Sequence, residues 1–171
     1  MLDLGASDHI GLITLTIDDL DAGIITLMER EPRIGLLEVS RRLGVARGTV
    51  QARVAKLSDR GAITGFGPQL DPARLGYPVL AFVFLEIAQG RLAEAVDVLE
   101  AIPEVMEAHG TTGPLDLLCR IVARDNEHLQ DLLNVILASP AIRRSTSYIA
   151  MSRQIEFRTV PLVVAAAAPA R

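Results

Sequence analysis

The 171-residue sequence predicts an α+β chain: an N-terminal helix-turn-helix domain, winged or plain, followed by a C-terminal ferredoxin-like βαββαβ domain. Three observations predict it. Two short helical patterns meet at a glycine-bearing turn, the hydrophobic period changes after Pro78, and a strand–helix–strand order then occurs twice. The expected domains are an arm (1–16), the helix-turn-helix (17–66), a linker (67–78), the ferredoxin-like domain (79–158) and a C-terminal tail (159–171).

Residues 1–16 show no clear helical period and read as a weakly ordered arm. In the first helix, acidic residues crowd the start at Asp18, Asp19 and Asp21, and Arg30 lies at the end, as the helix dipole favours. Leu20, Ile24, Leu27 and Met28 form its apolar face, and Pro32 stops it. A short second helix from Leu36 to Leu43 ends at Gly44. The third starts near Ala46 or Arg47 and ends at Gly61. Gly65, Gly67 and Pro68 suit a small hairpin wing, and the turn residues of Leu70 to Pro78 mark the linker.

From Val79 to Ile87 the chain is β-branched, aromatic and apolar on both rows, which reads as a buried strand. A helix carrying Leu92, Ala95, Val96 and Leu99 follows, then Pro103, a short strand near 105–109 and another over 115–123. Leu129, Leu132, Leu133, Ile136 and Leu137 repeat at helical spacing, Pro140 closes that helix, and a last strand runs near 142–151. The tail holds Ala165 to Ala168 between two prolines and reads as a frayed end.

Composition narrows the function. The net charge of −4 argues against nucleic-acid binding by the whole surface, but residues 30–60 alone carry +5, leaving −9 for the remainder. On a helical projection of 46–60, Val50, Val54 and Leu57 face inward, while Gly48 and Ala52 lead the opposite arc. Thr49, Gln51 and Lys56 flank that arc, and Arg47 and Arg53 project from its shoulders. A helix in a major groove needs small residues where its backbone nears base edges and cations where phosphates run. Arg47, Gly48, Thr49, Gln51, Ala52, Arg53 and Lys56 are therefore the candidate DNA contacts; the alternative is a solvated helix face. Few long polar side chains aim at bases, so DNA shape is expected to add to the readout.

Other chemistries find no support. Cys119, the single cysteine, reads as a small buried hydrophobe. His9 and His128 are expected in solvent, no residues show metal-ligand spacing, and no nucleophile–base or paired-carboxylate set is placed at one site. No enzyme activity, metal or cofactor is expected. No apolar run reaches the ~20 residues of a membrane span, and the N-terminus lacks a secretory basic flank, so a cytoplasmic location is expected.

The segments "IDDLDAGII", "LLEVSRRLGVARGTVQARVAKLSDRGAITGF", "LDPARLGYP" and "EAHGTTGPLDLLCRI" follow one another over about Ile17 to Phe157. In order and spacing the chain resembles the Lrp/AsnC, or feast/famine, transcription regulators. The resemblance implies double-stranded DNA as a partner and a C-terminal domain that dimerises and stacks into tetramers or octamers. It also implies small-molecule effectors, commonly amino acids, bound between subunits. Dimerisation finds independent support: two helices cover one face of the sheet, and a second subunit suits the other. The family's Gly-Asp-aromatic-Asp loop here reads Gly113-Pro114-Leu115-Asp116, so Gly113 and Asp116 match while Pro114 and Leu115 depart. His109, Thr111, Thr112, Gly113 and Asp116 are the candidate effector residues, with a plain structural turn as the alternative. If the loop holds no ligand, an effector-independent, DNA-wrapping architectural protein is the competing function.

Overall fold

The computed structural model describes residues 15–168; the arm expected over 1–16 therefore lies almost wholly outside the described residues. The chain divides into two compact units, one built from the segments up to Pro68 and from Glu156 onward, the other from Gln69–Ile155.

In the first unit, α1 (Asp19–Arg30) begins at Asp18 with a reciprocal capping box: Asp21 N donates to Asp18 Oδ1 at 2.9 Å, and Asp18 N approaches Asp21 Oδ2 at 3.4 Å. Asp19 and Asp21 in the first turn and Arg30 in the last complement the dipole. Helix α2 (Leu36–Leu43) stops at Gly44, whose φ of 67° is the left-handed conformation that glycine adopts without strain. Val45 N closes that turn on Ser40 O at 3.0 Å, and α3 (Arg47–Asp59) starts two residues on. This is a helix-turn-helix. Ile24, Val39 and Val50 form its fully buried centre, ringed by Leu20, Leu27, Met28, Leu36, Leu43 and Val54. A Cβ on Gly23 would come within 3.1 Å of Leu43 Cδ2, so glycine there allows α1 and α2 to approach closely.

One alternative is resolved here and one expectation changes. No strand lies between α3 and the sheet among the described residues, and Phe66 and Leu70 on that segment are exposed, so the helix-turn-helix is plain rather than winged. The described part of the tail is helical and not frayed. Val160–Ala167 forms α6, which has Pro161 in its first turn and lies against α1. Val160, Val163 and Ala167 are its half-buried residues, at a spacing that shares one helical face. Alanine's high helix propensity and this non-local contact explain a helix that has no polar cap of its own.

The second unit opens with one 3-10 turn, Pro72–Leu75, capped by Asp71 and ended by Gly76 at φ 97°. The elements β1 (Val79–Ile87), α4 (Leu92–Glu100), β2 (Val105–Gly110), β3 (Leu117–Ala123), α5 (Asn126–Leu137) and β4 (Ile142–Ile149) follow. All pairings are antiparallel in the order β2-β3-β1-β4, the ferredoxin-like arrangement. Asp125 caps α5 through His128 N at 2.7 Å.

Alternation along β1 and β3 separates the two faces. Ala81, Val83 and Leu85 with Leu117, Cys119, Ile121 and Ala123 meet Ala95 and Leu99 of α4 and Leu129, Leu132, Leu133 and Ile136 of α5. Neither helix of this unit packs on the other face. Phe82 is 38 % and Tyr148 60 % exposed there, and the Phe84 and Tyr148 rings meet edge to face at 6.0 Å. Cys119 is buried as expected, and burial pushes its thiol up to about 11.

Candidate nucleic-acid interface

The exposed side of α3 carries Arg47, Gly48, Thr49, Gln51, Ala52, Ala55 and Lys56, while Val50 and Leu57 are buried. A Cβ on Gly48 would meet nothing within 4 Å, so the surface along this line is open. The helix therefore presents a low ridge of backbone and methyl groups flanked by the uncharged polar side chains of Thr49 and Gln51.

Charge is distributed less simply than the sequence suggests. Residues 17–60 as a whole sum to only +1, because Asp18, Asp19, Asp21 and Glu29 precede the basic stretch. Ion pairing sorts these charges by face. Arg42 donates to both oxygens of Glu31 and, through Nε at 3.0 Å, to Glu38. Arg41 lies 3.9 Å from Glu38. The Glu31 carboxyl is held below its ordinary range chiefly by its hydrogen bonds from Arg42. Arg47, Lys56 and Arg60 have no ion-pair partner among the described residues, so their charge is available along α3.

Arg53 departs from the expected shoulder position. Its Nη1 donates to Asp18 Oδ2 and lies 3.2 Å from each oxygen of Asp21, whose side chain is 2 % exposed. Asp18 is held below its ordinary range first by the Asp21 N–H and then by Arg53, and the Asp18 and Asp21 carboxylates in turn raise Arg53. A signal for this pair existed in the sequence. Asp21 stands on the apolar ladder of α1 with Ile17, Ile24 and Met28, where a carboxylate requires a buried partner.

The loop from 111 to 116 joins β2 to β3. Thr111 Oγ1 donates to Leu115 O at 2.6 Å, and Thr111 N to Asp116 O at 2.9 Å. Ile87 N donates to Asp116 Oδ2 at 2.7 Å, tying the loop to the end of β1. Gly113 takes φ 133°, which favours glycine. Thr112, Gly113 and Asp116 are exposed, and His109, also exposed on β2, lies 3.7 Å from Glu107. The five candidate effector residues thus lie on one stretch, the end of β2 and its following loop, but the Thr111 hydroxyl and one Asp116 oxygen are engaged within the domain.

His128 is not in solvent as expected. Its side chain is 13 % exposed, Nδ1 accepts from Arg124 N at 3.2 Å, Nε2 lies 3.7 Å from Glu104, and Tyr77 sits beside its ring. His9 lies outside the described residues. Among the described residues no group of three or more His, Cys, Asp or Glu is placed to hold a metal ion, and no helix is long and apolar enough to cross a membrane.

Comparison with known proteins accounts for both units. Residues 17–58 match the AsnC-type helix-turn-helix domain, and residues 80–160 the Lrp/AsnC ligand binding domain. The chain is 30% identical to the HTH-type transcriptional regulator FL11 of Pyrococcus horikoshii over 85% of its own length and 97% of the relative's. It is 32% identical to the regulatory protein AsnC of Escherichia coli over 84% and 95% of the two chains. The solved structure of E. coli AsnC superposes with a TM-score of 0.79, covering 86% of this chain and all of the other. A feast or famine regulatory protein of M. tuberculosis, solved in complex with L-methionine, is 26% identical, with a TM-score of 0.74 over 83% and 97% of the chains. With the two domain matches in their family order and full-length relatives of this kind, the chain belongs to the Lrp/AsnC family of transcription regulators.

Proposed function

We propose that this protein is a sequence-preferring, DNA-binding transcriptional regulator that lays α3 in the major groove and senses a small metabolite, such as an amino acid, through its C-terminal domain. The observation that carries the DNA reading is the open ridge of Gly48, Thr49, Gln51 and Ala52, bordered by unpaired Arg47 and Lys56. Small residues let the helix backbone reach base edges, Thr49 and Gln51 supply hydrogen-bonding groups, and the two cations meet phosphates on either side. Its site of action is the cytoplasm.

Assembly belongs to the same reading. The helix-free sheet face, with Leu80, Phe82, Phe84, Leu118 and Tyr148, suits a second copy of the chain, giving a homodimer and from it tetramers or octamers. Arg120 Nε on that face is buried without a hydrogen-bond partner among the described residues, which leaves a donor for an acceptor across such an interface. A two-fold dimer would present two α3 helices to related half-sites.

For the effector, support comes from the domain match and from the L-methionine complex of the M. tuberculosis relative. Thr112, the Gly113 backbone, His109 and the free oxygen of Asp116 are the groups available to a carboxylate and an ammonium. The internal hydrogen bonds of Thr111 and Asp116 favour a second reading, an effector-independent protein that wraps DNA. Fluorescence anisotropy separates the two readings. A duplex selected from a random library is compared with a shuffled one across a salt series, with and without the twenty amino acids. Salt-sensitive, selective binding that an amino acid changes supports the regulator; selective binding that ignores all twenty favours the wrapping protein; equal binding to both duplexes refutes sequence preference.

A further inference from the structure

Arg53 is the cation of α3 that its own domain consumes, and its acceptors are also held by contacts of their own. Asp18 Oδ1 is occupied by Asp21 N in the capping box, so Asp18 Oδ2 and the Asp21 carboxylate converge on one point at the start of α1. Drawing Arg53 away to a phosphate would strand the Asp21 carboxylate, 2 % exposed, without its partner. Arg53 is itself 32 % exposed, but leaving the buried Asp21 carboxylate without its cation costs more than a single phosphate contact returns.

We propose that Arg53 is a positioning residue and not a phosphate contact: with Asp21 it fixes the rotation and slide of α3 against α1, and so decides which base edges Thr49, Gln51 and Ala52 meet. This rests on the DNA-binding reading above. The remaining α1–α3 packing comes from apolar residues such as Ile24, Val50 and Val54, and apolar contacts tolerate small rotations. The guanidinium contact does not. Its hydrogen bonds are directional, and a slip of α3 by one residue, about 1.5 Å, would break them. Thr49, Ala52 and Lys56 stand four before, one before and three after Arg53, so any rotation at Arg53 moves them directly. A well-packed apolar pair would hold the helices together as firmly, which leaves orientation as the property that the charged pair adds.

The test uses the full chain in two variants, Asp21→Asn and the double substitution Arg53→Met with Asp21→Leu. Both are measured against a duplex selected by the wild type from a random library, and against its shuffled form, over a salt series. Circular dichroism reports folding. Both variants are expected to fold, to lose roughly tenfold in the ratio of selected to shuffled affinity, equivalent to weakened readout of one base pair, and to keep the salt slope on shuffled DNA. Arg53→Lys, which retains a donor toward Asp21, is expected to keep part of the ratio. Tighter shuffled binding by Asp21→Asn, or a slope smaller by about 0.9 in the double variant, would make Arg53 a phosphate contact. An unchanged ratio in the variants would reduce the pair to a stability element. Should the double variant not fold, Asp21→Asn alone decides. A wild type that selects no duplex overturns the DNA-binding reading and this proposal together, whereas a selective wild type with unmoved variants overturns this proposal alone.

Discussion

Gly48 offers the sharpest test of how α3 is used. It is the second residue of the helix, its φ is not positive, and a Cβ there would meet nothing within 4 Å. Nothing in the free domain therefore requires glycine. Alanine in a helix interior is worth about 1 kcal/mol over glycine. One position inside the N-terminus about half of that, roughly 0.5 kcal/mol, is expected. For a unit of this size such a gain raises the melting temperature by about 2–4 °C. Binding should move the other way. A methyl on the ridge holds the backbone off the bases, and Gly48→Leu does so by several atoms, costing readout worth about 1–3 kcal/mol per base pair affected. Gly48→Ala is expected to melt higher by calorimetry and to bind the selected duplex more weakly by anisotropy. Gly48→Leu should lose about tenfold or more. Wild-type affinity in both variants would refute the placement of this line against DNA.

Three further outcomes are expected. The Asp18 carboxyl is held low by Asp21 N–H and Arg53, so its stabilising contribution is complete above the unfolded value and is lost as pH falls through the depressed folded one. Melting temperature should therefore decline below about pH 4, and more shallowly in Asp18→Asn; identical acid limbs would contradict this. Phe82→Glu places a charge in the helix-free sheet face and should shift sedimentation toward the monomer with the helix content retained; an unchanged oligomer would put the interface elsewhere. Cys119, buried with its thiol pushed up to about 11, should resist Ellman's reagent in the native protein and react on unfolding.

Most of the fold was legible because it is written in local periods. Val79–Ile87 has the bounds expected from its β-branched run, and Leu36–Leu43 those expected from its apolar spacing and Gly44. The exposed ridge of α3 was legible in the same way, since helical projection needs only neighbours within two or three turns. The tail misled for the opposite reason. It has no amphipathic pattern to read, and its order comes from contact with α1 more than a hundred residues away.

What the sequence determined by itself was the helix-turn-helix, the doubled strand–helix–strand order and the small-residue face of α3. Tertiary structure alone decided which cations remain free for a ligand. Arg53 meets Asp21 from 32 residues away and Asp18 from 35, while Arg42 is taken up by Glu31; on α3 and at its end, Arg47, Lys56 and Arg60 stay unpaired among the described residues. It likewise engaged Asp116 with Ile87 N and enclosed His128 beside Glu104 and Tyr77. The physical reason is range. Hydrophobic period and turn chemistry act between residues close along the chain, whereas a charge or a polar atom is neutralised by whatever the folded chain brings within a few ångströms of it.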